Sequence, residues 1–322
     1  MRVGAILAIG VCVLAGGLPV AANDYPTRNI TIISNYPPAG GVDITGRIVG
    51  GELKKRLGQT VIIENKPGAT GMIGANVVAH SKPDGYTLLV TANPPITLMP
   101  FVASAGYDPL NDLVPIAKVA VAPTILVVSP NSPFKSLQDL LSAARDPDKR
   151  VLVGVPGVGS SGEIELNLIN NLLKTKIGTV PYRGANFIVT DVMGQQITAG
   201  VAAVPALAAQ IRDGGLRALA VVSPHRSPVF PDVPTVQEVI GKPLEGFPTW
   251  YGFFTPKGTP KEILAKLETE LLEIMKDPDV VERMRVLGNE ILLTGTEAFA
   301  KENAAEVELL KRAIKETNVK IQ

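Results

Sequence analysis

The hydrophobic and polar positions along the chain show two patterns, one typical of strands and one typical of helices, and segments with these patterns alternate. Short runs rich in Val, Ile and Leu predict buried strands, and longer segments with apolar residues near helical spacing predict amphipathic helices. Because the two kinds of segment alternate, with crossovers long enough to reverse the chain, right-handed parallel β-α-β units are predicted. The predicted strands lie at 30–33, 60–65, 86–93, 123–130, 150–155, 177–182, 196–204 and 216–223.

The predicted helices fall into two groups. One group separates the strands, and the other forms the end of the chain. The helices between strands lie at 44–58, 68–81, 136–145, 160–174, 185–194 and 205–215, and the terminal ones lie at 260–277, 278–288 and 296–317.

The predicted strands and helices form two successive groups along the chain. Each group predicts one lobe, and the two lobes would enclose a cleft. Short proline-containing segments near Ala122–Pro123 and Gly246–Trp250 are candidate crossings between the lobes. Lobe 1 is therefore predicted to contain residues 24–123 and 247–322, and lobe 2 residues 124–246. Open α/β sheets bind ligands outside the carboxyl ends of their strands, and a cleft between two lobes collects those ends.

The turn PAGGVD at 38–43 is the strongest candidate for a ligand site. It follows the first apolar strand and leads into an amphipathic helix. A helix that begins in glycines presents free backbone N–H groups at the positive end of its dipole, which suits an anion such as a carboxylate. A purely structural tight turn has the same sequence, and this alternative stays open.

Enzymatic alternatives fit the sequence poorly. Gly157-x-Gly159-x-x-Gly162 matches the dinucleotide fingerprint, but the acidic residue expected about 20 residues later is missing. No Gly-x-Ser-x-Gly nucleophile elbow surrounds Ser160 or Ser161. His80 and His225 are the only histidines, and no cluster has metal-ligand spacing. We therefore expect a protein without catalytic residues, metal or cofactor.

Composition and the first residues indicate an exported globular protein. Of the 322 residues, 46% are hydrophobic and 19% charged, which is typical of a folded chain. Residues 1–22 have one basic residue, an apolar run and a small-residue end, so we expect a signal peptide cleaved near Ala22, with a membrane anchor as the alternative. Cys12, the only cysteine, lies in this segment.

The charge balance limits the possible partners. Removing Arg2 with the signal leaves 30 basic residues (31 less one) against 30 acidic ones. A neutral chain lacks the basic surface that nucleic acids or anionic membranes require, so we expect neither as a partner. A small solute is the expected ligand.

The chain resembles the extracytoplasmic solute-binding proteins of tripartite tricarboxylate transporters, the Bug family. Ten motifs in order carry the resemblance over nearly all of the predicted mature chain. They are YPTRNITII (25–33), PAGGVD (38–43), LGQTVIIENKPGATGMIGA (57–75), KPDGYTLLV (82–90), DPLNDLVPIAKV (108–119), GVGS (157–160), VPYRGA (180–185), LRALAV (216–221), PDVPTVQE (231–238) and WYGFFTPKGTP (250–260).

The resemblance implies the fold, the location and the partners. It implies a two-lobed α/β periplasmic binding protein, of the type II or Venus-flytrap kind, with two hinge crossings. Such a protein closes on a small carboxylate in the periplasm and delivers it to the integral-membrane permease subunits of the transporter. We expect a monomer. A receptor that presents its ligand to a membrane kinase is an alternative that the sequence leaves open.

The resemblance and the turns together define the expected ligand-binding residues. In lobe 1 these are Tyr36, Pro38, Ala39, Gly40, Gly41, Asp43, Thr91, Ala92 and Asn93. In lobe 2 they are Gly159, Ser160, Ser161, Glu163, Gly184, Ala185, Asn186 and Asp191.

Several of these positions have alternative roles. Ser160 or Ser161 could cap a helix as well as donate to a ligand. Asp43 suits the N-terminus of a helix as well as a ligand contact, and Asp191 could buttress its loop. Ala39 stands where the family often has Gly, and Glu163 where it often has His. Glu163 could face the cleft, where it would disfavour a second carboxylate, or face solvent.

Overall fold

Two β-sheets, one in each lobe, organise residues 25–244 and 247–317, which are the residues that the computed structural model describes. The predicted signal peptide at 1–22, with Cys12 and Ala22, lies outside the described residues. The lobe boundaries at 123/124 and 246/247 stay a prediction, although the two sheets divide the strands at the same places.

The first sheet takes strands from both ends of the described chain. Its order is β11-β4-β10-β3-β1-β2, with β1 parallel to β2 and β3, and with β10 antiparallel to β3 and β4. The strands are β1 (Ile30–Ser34), β2 (Val61–Asn65), β3 (Thr87–Ala92), β4 (Leu113–Ala122), β10 (Thr249–Pro256) and β11 (Glu290–Gly295).

The second sheet has the order β7-β6-β8-β5-β9. β6 is parallel to β7 and β8, but β5 is antiparallel to both of its neighbours. A parallel arrangement throughout is therefore wrong for β5, because this strand continues directly from β4 as the chain crosses between the lobes. The strands are β5 (Thr124–Val128), β6 (Val151–Val155), β7 (Ile177–Pro181), β8 (Ala199–Ala203) and β9 (Arg217–Val222).

Helices connect the strands and cover the sheets. They are α1 (Gly41–Leu57), α2 (Met72–Ala79), α3 (Met99–Val102), α4 (Leu137–Arg145), α5 (Ser161–Leu173), α6 (Ala185–Met193), α7 (Val204–Arg212), α8 (Val236–Ile240), α9 (Lys261–Ile274), α10 (Pro278–Val286) and α11 (Thr296–Thr317). No helix among the described residues is long and apolar enough to cross a membrane.

The start of the helix predicted over 68–81 is irregular. Gly68, Ala69, Thr70 and Gly71 all have positive φ, at 132°, 46°, 51° and 88°. Such angles are rare for residues with a Cβ, so this segment forms a tight turn before α2 begins. The turn is held by Asn35, whose Nδ2 donates to the Gly71 carbonyl at 2.9 Å.

The C-terminal helices pack on the first sheet. Leu267 and Leu271 of α9 and Met284 of α10 are fully buried in one core with β1, β3 and β4. On the other face, Phe299 of α11 packs edge-on against Trp250, with ring centroids 5.0 Å apart. A sheet covered on both faces fixes the end of β1, and thus the start of α1, in a rigid frame.

Two glycines of α1 give a matched test of this packing. Gly46 is buried, and a Cβ there would lie 2.9 Å from Val90 Cγ1, whereas a Cβ at Gly51 would meet nothing within 4 Å. Inside a helix, Gly→Ala stabilises the folded state by about 0.5–1 kcal/mol. Overpacking a core destabilises the folded state by about 1–3 kcal/mol. We expect Gly51→Ala to raise the free energy of unfolding in urea and Gly46→Ala to lower it. Equal stabilisation by both variants would contradict the packing of α1 on β3.

Candidate functional site

A cavity of about 650 Å³, including its open mouth, lies between the two lobes. No charged side chain is among the described residues that line it. Its walls are mainly alanine, glycine and proline, with the hydroxyl groups of serines, threonines and tyrosines between them. The first lobe contributes Tyr36, Pro37, Gly40, Gly41, Val42, Ala92, Pro94, Thr249 and Tyr251, and the second Thr124, Pro156, Ser160, Ser161, Gly162, Gly184, Ala185, Asn186, Ala202, Ala203 and Ala206.

The N-terminus of α1 forms one wall of the cavity. Gly40 precedes the helix and has no side chain to cap it, and its carbonyl accepts from the Ile44 amide at 2.9 Å. The amides of Gly41 and Val42 have no hydrogen-bond partner among the described residues. Both residues line the cavity. Two unpaired donors at the positive end of a 17-residue helix therefore lie at the ligand-accessible wall.

Asp43 holds this turn from behind. Its carboxylate accepts from the Ala39 amide at 2.9 Å, from Arg47 Nε at 2.9 Å and from Asn65 Nδ2 at 2.7 Å. Burial acts to raise the pKa of the Asp43 carboxyl, but the hydrogen bonds from Arg47, Asn65 and Ala39 outweigh it and keep the pKa below its usual value. The side chain is only 3% exposed, and Asp43 is not on the cavity wall.

Three helices of the second lobe also begin at the cavity. α5 starts at Ser161, α6 at Ala185 and α7 at Val204. Residues at or next to each start line the cavity wall: Ser161 and Gly162 for α5, Ala185 and Asn186 for α6, and Ala203 and Ala206 for α7. Together with α1, four helix N-termini therefore meet around one uncharged space.

Ser160 carries an unused hydroxyl at this wall. It occupies the N-cap position of α5 but makes no capping hydrogen bond. Its Oγ is buried and has no partner among the described residues. The capping role considered for Ser160 is therefore wrong, and a role as ligand donor stays a prediction. The neighbouring Ser161 Oγ accepts from Thr249 Oγ1 at 3.3 Å.

Two tyrosines complete the first-lobe wall. A Cβ at Gly41 would lie 2.1 Å from the Tyr251 hydroxyl, so glycine is required where the turn meets this ring. The Tyr36 hydroxyl donates to the Thr70 carbonyl at 3.2 Å. Burial raises the pKa of both tyrosines far above neutral pH. Both side chains therefore stay uncharged.

The other expected residues of the first lobe lie near the cavity in different roles. Pro38 and Ala39 are exposed at the tip of the turn and are absent from the wall. Ala39 has φ of 62°, a left-handed conformation that explains why a glycine suits this position. Ala92 lines the cavity, whereas Thr91 is buried behind it and accepts from Asn35 Nδ2 at 2.9 Å.

Asn93 lies at the junction of the lobes. Its Nδ2 is 3.5 Å from Ser161 Oγ, 3.5 Å from the Pro248 carbonyl and 3.3 Å from Glu306 Oε1. It thus joins the first lobe, the second crossing and α11, and it does not line the cavity.

Two acidic residues of the second lobe support loops. Glu163 is 6% exposed, and its carboxylate accepts from the Gly159 amide at 2.6 Å and from Thr179 Oγ1 at 3.1 Å. The solvent-facing orientation considered for it is wrong, because these two donors hold the side chain inside. Asp191 accepts from the Tyr182 hydroxyl at 2.6 Å. Neither residue lines the cavity.

The list of expected ligand-binding residues did not include Thr124, Thr249 and Tyr251, which line the wall. All three lie in or next to the segments that cross between the lobes, and only the three-dimensional crossing brings them to the cavity. The sequence does indicate a strand-to-helix turn at Ala203 and Ala206, since Pro205 follows a strand and marks the first turn of α7. Within the described residues, no group of His, Cys, Asp and Glu could hold a metal ion.

Known proteins share this architecture. The relative BugT of Bordetella pertussis is 32% identical over 321 residues, which cover 98% of this chain and 97% of BugT. The periplasmic binding protein BugD has a TM-score of 0.86 at 29% identity, covering 92% of this chain and 100% of BugD. R. palustris Rpa4515, solved with adipate, has a TM-score of 0.87 at 28% identity, covering 92% of this chain and 99% of Rpa4515.

These likenesses confirm the predicted family and the two-lobed α/β fold. The family model described as the tripartite tricarboxylate transporter family receptor, TctC, matches residues 45–319. That range begins within α1, at Thr45, and includes the three helices of the second lobe that begin at the cavity. The chain therefore belongs to the TctC family of tripartite tricarboxylate transporter receptors, and it is a periplasmic solute receptor rather than an enzyme.

Proposed function

We propose that this receptor binds a small carboxylate in the cavity between its lobes and delivers it to the permease subunits of a tripartite tricarboxylate-type transporter. The observation that carries the proposal is the meeting of four helix N-termini around a cavity without charged side chains. Oriented amides and helix dipoles favour a negative group without the desolvation cost of a buried cation.

The available donors can contribute a large part of the free energy of binding. The amides of Gly41 and Val42 and the Ser160 hydroxyl have no partner among the described residues. A hydrogen bond to a charged group contributes about 1.5–3 kcal/mol. Three such bonds together approach the roughly 8 kcal/mol of micromolar binding, before the cost of ordering the ligand is subtracted.

The walls indicate what the rest of the ligand is like. Pro37, Val42, Pro94 and Pro156 present apolar surface, and the alanines of the second lobe leave room beside it. A carboxylate on a short aliphatic chain matches such a space. The relative Rpa4515 was solved with adipate, a dicarboxylate of this kind, which supports the assignment.

The lobes are in contact around the cavity, as expected for a closed receptor. A Cβ at Gly157 would lie 2.9 Å from the Thr70 hydroxyl, and one at Gly159 would lie 2.7 Å from Met99 Sδ. A Cβ at Gly184 would lie 3.0 Å from Pro37 Cγ. The proposed hinges are the crossings at 122–124 and 247–249, which join lobe 1 (24–123 and 247–322) to lobe 2 (124–246).

A serine pair tests the donors of the second lobe. We expect Ser160→Ala to weaken carboxylate binding about tenfold or more, because a charge-assisted hydrogen bond is lost. Ser142→Ala is the matched control, since Ser142 lies exposed on α4 and its hydroxyl donates to the Gln138 carbonyl. Calorimetric titration with a panel of mono- and dicarboxylates measures both variants. Wild-type affinity in Ser160→Ala, or binding of amines in preference to carboxylates, would contradict the proposal.

A glycine pair tests the donors of the first lobe. Gly41→Ala would place a Cβ against the Tyr251 hydroxyl and displace the turn that presents the amides. We expect a loss of the ligand-induced rise in melting temperature, because a ligand stabilises only a native state that it can bind. Gly51→Ala on the same helix should keep the full rise. An undiminished rise in Gly41→Ala would exclude the α1 turn from the site.

A further inference from the structure

Glu165 is a fully buried carboxyl group directly behind the cavity. It lies on α5, and the void beside its side chain is lined by apolar residues from every element packed there. These include Leu126 of β5, Leu140 of α4, Ile177 of β7, Val201 of β8, Val222 of β9 and Val236 of α8. Among the described residues, these elements present no titratable group to Glu165. Its neighbour Glu163 is turned away to Gly159 and Thr179.

Glu165 has two polar partners, and one lies in each of the two crossings between the lobes. One carboxyl oxygen is hydrogen-bonded to the hydroxyl of Thr124, the first residue of β5. The other accepts from the backbone amide of Phe247, just before β10, at 3.2 Å. Thr124 also lines the cavity. The carboxyl group is thus hydrogen-bonded to a residue of the cavity wall.

An ionised carboxylate is costly in such surroundings. Burial raises the pKa of Glu165 to about 8, although the hydrogen bonds from Thr124 and Phe247 act in the opposite direction. At neutral pH the group is therefore mostly a carboxylic acid, with one proton to donate. The Phe247 amide occupies one oxygen, and Thr124 Oγ1 is the acceptor available to the other.

We propose that Glu165 is a positioning residue that donates its proton to Thr124 Oγ1 and so directs the Thr124 hydroxyl hydrogen into the cavity, toward the carboxylate of the ligand. The inference rests on the proposed carboxylate-binding function and adds to it a dependence on one proton.

The direction of the hydrogen bond between Glu165 and Thr124 decides whether the Thr124 hydroxyl attracts or repels an anion. With the proton on Glu165, the Thr124 oxygen accepts from it and its own hydrogen is free to bind the ligand. With Glu165 ionised, the hydroxyl must donate to Glu165 and presents only lone pairs to the ligand. Carboxylate binding at alkaline pH therefore takes up one proton from solvent onto Glu165, and by linkage the proton strengthens carboxylate binding.

Other titratable groups near the cavity behave differently. Tyr36 and Tyr251 stay protonated, since burial raises the pKa of each, and Asp43 stays ionised because its pKa is lowered. Glu306 is a partly buried carboxyl, and desolvation raises its pKa as well. Its oxygens accept from Trp250, Thr97 and Asn93, and it makes no hydrogen bond to Thr124. Glu306→Gln is therefore the matched control.

The central experiment is calorimetric titration with adipate as the probe between about pH 7 and pH 9. With a Glu165 pKa of about 8, the protonated fraction, and hence the affinity of the wild type, should fall about tenfold over this range. Glu165→Gln should abolish the fall, because its amide donates to Thr124 and its carbonyl accepts from Phe247 without titrating. Glu306→Gln should retain the fall, and Thr124→Val should bind more weakly with a flat profile. A flat wild-type profile, or an equal fall in Glu165→Gln, would overturn the inference.

A measurement without ligand separates this inference from the proposed function. The folded pKa of Glu165 lies above its ordinary value of 4.5. The folded state thus binds the extra proton, and this contribution to stability is lost as pH rises from about 4.5 through about 8. The melting temperature of Glu165→Gln relative to wild type should increase over that range and then level off. A difference in melting temperature between Glu165→Gln and wild type that stays constant with pH would show that Glu165 is not protonated in the folded state. If that difference does increase but no carboxylate binds at any pH, the proposed function and the role of Thr124 fail while the proton on Glu165 stands.

Discussion

An anion held by backbone amides requires turns in which the chain approaches the ligand without a Cβ in the way. The cavity is built on this requirement, because no charged side chain lines it among the described residues. Gly41 shows the constraint most clearly, since one added carbon would overlap the Tyr251 hydroxyl. The sheet below α1 must hold this glycine in place. The buried cores of both sheets therefore serve chiefly to fix where four helices begin.

Acidic residues near the cavity hold these turns in place from behind. Asp43 accepts from the Ala39 amide, Glu163 from the Gly159 amide and Asp191 from the Tyr182 hydroxyl. Each carboxylate occupies donors of its own loop and leaves the donors on the cavity side unpaired. A buried charge that is fully hydrogen-bonded strongly disfavours alternative loop conformations, because these would leave it unsatisfied. These acidic side chains thus stabilise the turns of the proposed anion site without lining it.

How far the sequence predicts this site depends on how far apart in the sequence the interacting residues lie. Gly40, Gly41 and Ser160 could be recognised because a strand, a glycine turn and a helix are adjacent in the chain. Tyr251 was not among the expected residues, since the antiparallel pairing of β10 with β3 and β4 that brings it to the cavity joins distant parts of the chain. Glu163 depends on both ranges, because its carboxylate accepts from the Gly159 amide, four residues away, and from Thr179 on β7. Local patterns predict the turns, and long-range pairing decides what surrounds them.

Closure and binding are coupled because the donors are divided between the lobes. The unpaired amides of Gly41 and Val42 lie at the start of α1 in the first lobe, and the unpaired Ser160 hydroxyl lies at the start of α5 in the second. In an open form a carboxylate could reach only one of these sets. The lobes also touch directly, as at Gly157 against Thr70 and where the Arg212 guanidinium donates to the Val286 carbonyl. A ligand held by donors of both lobes would bind the closed form more tightly than an open form, and this difference in affinity would favour closure.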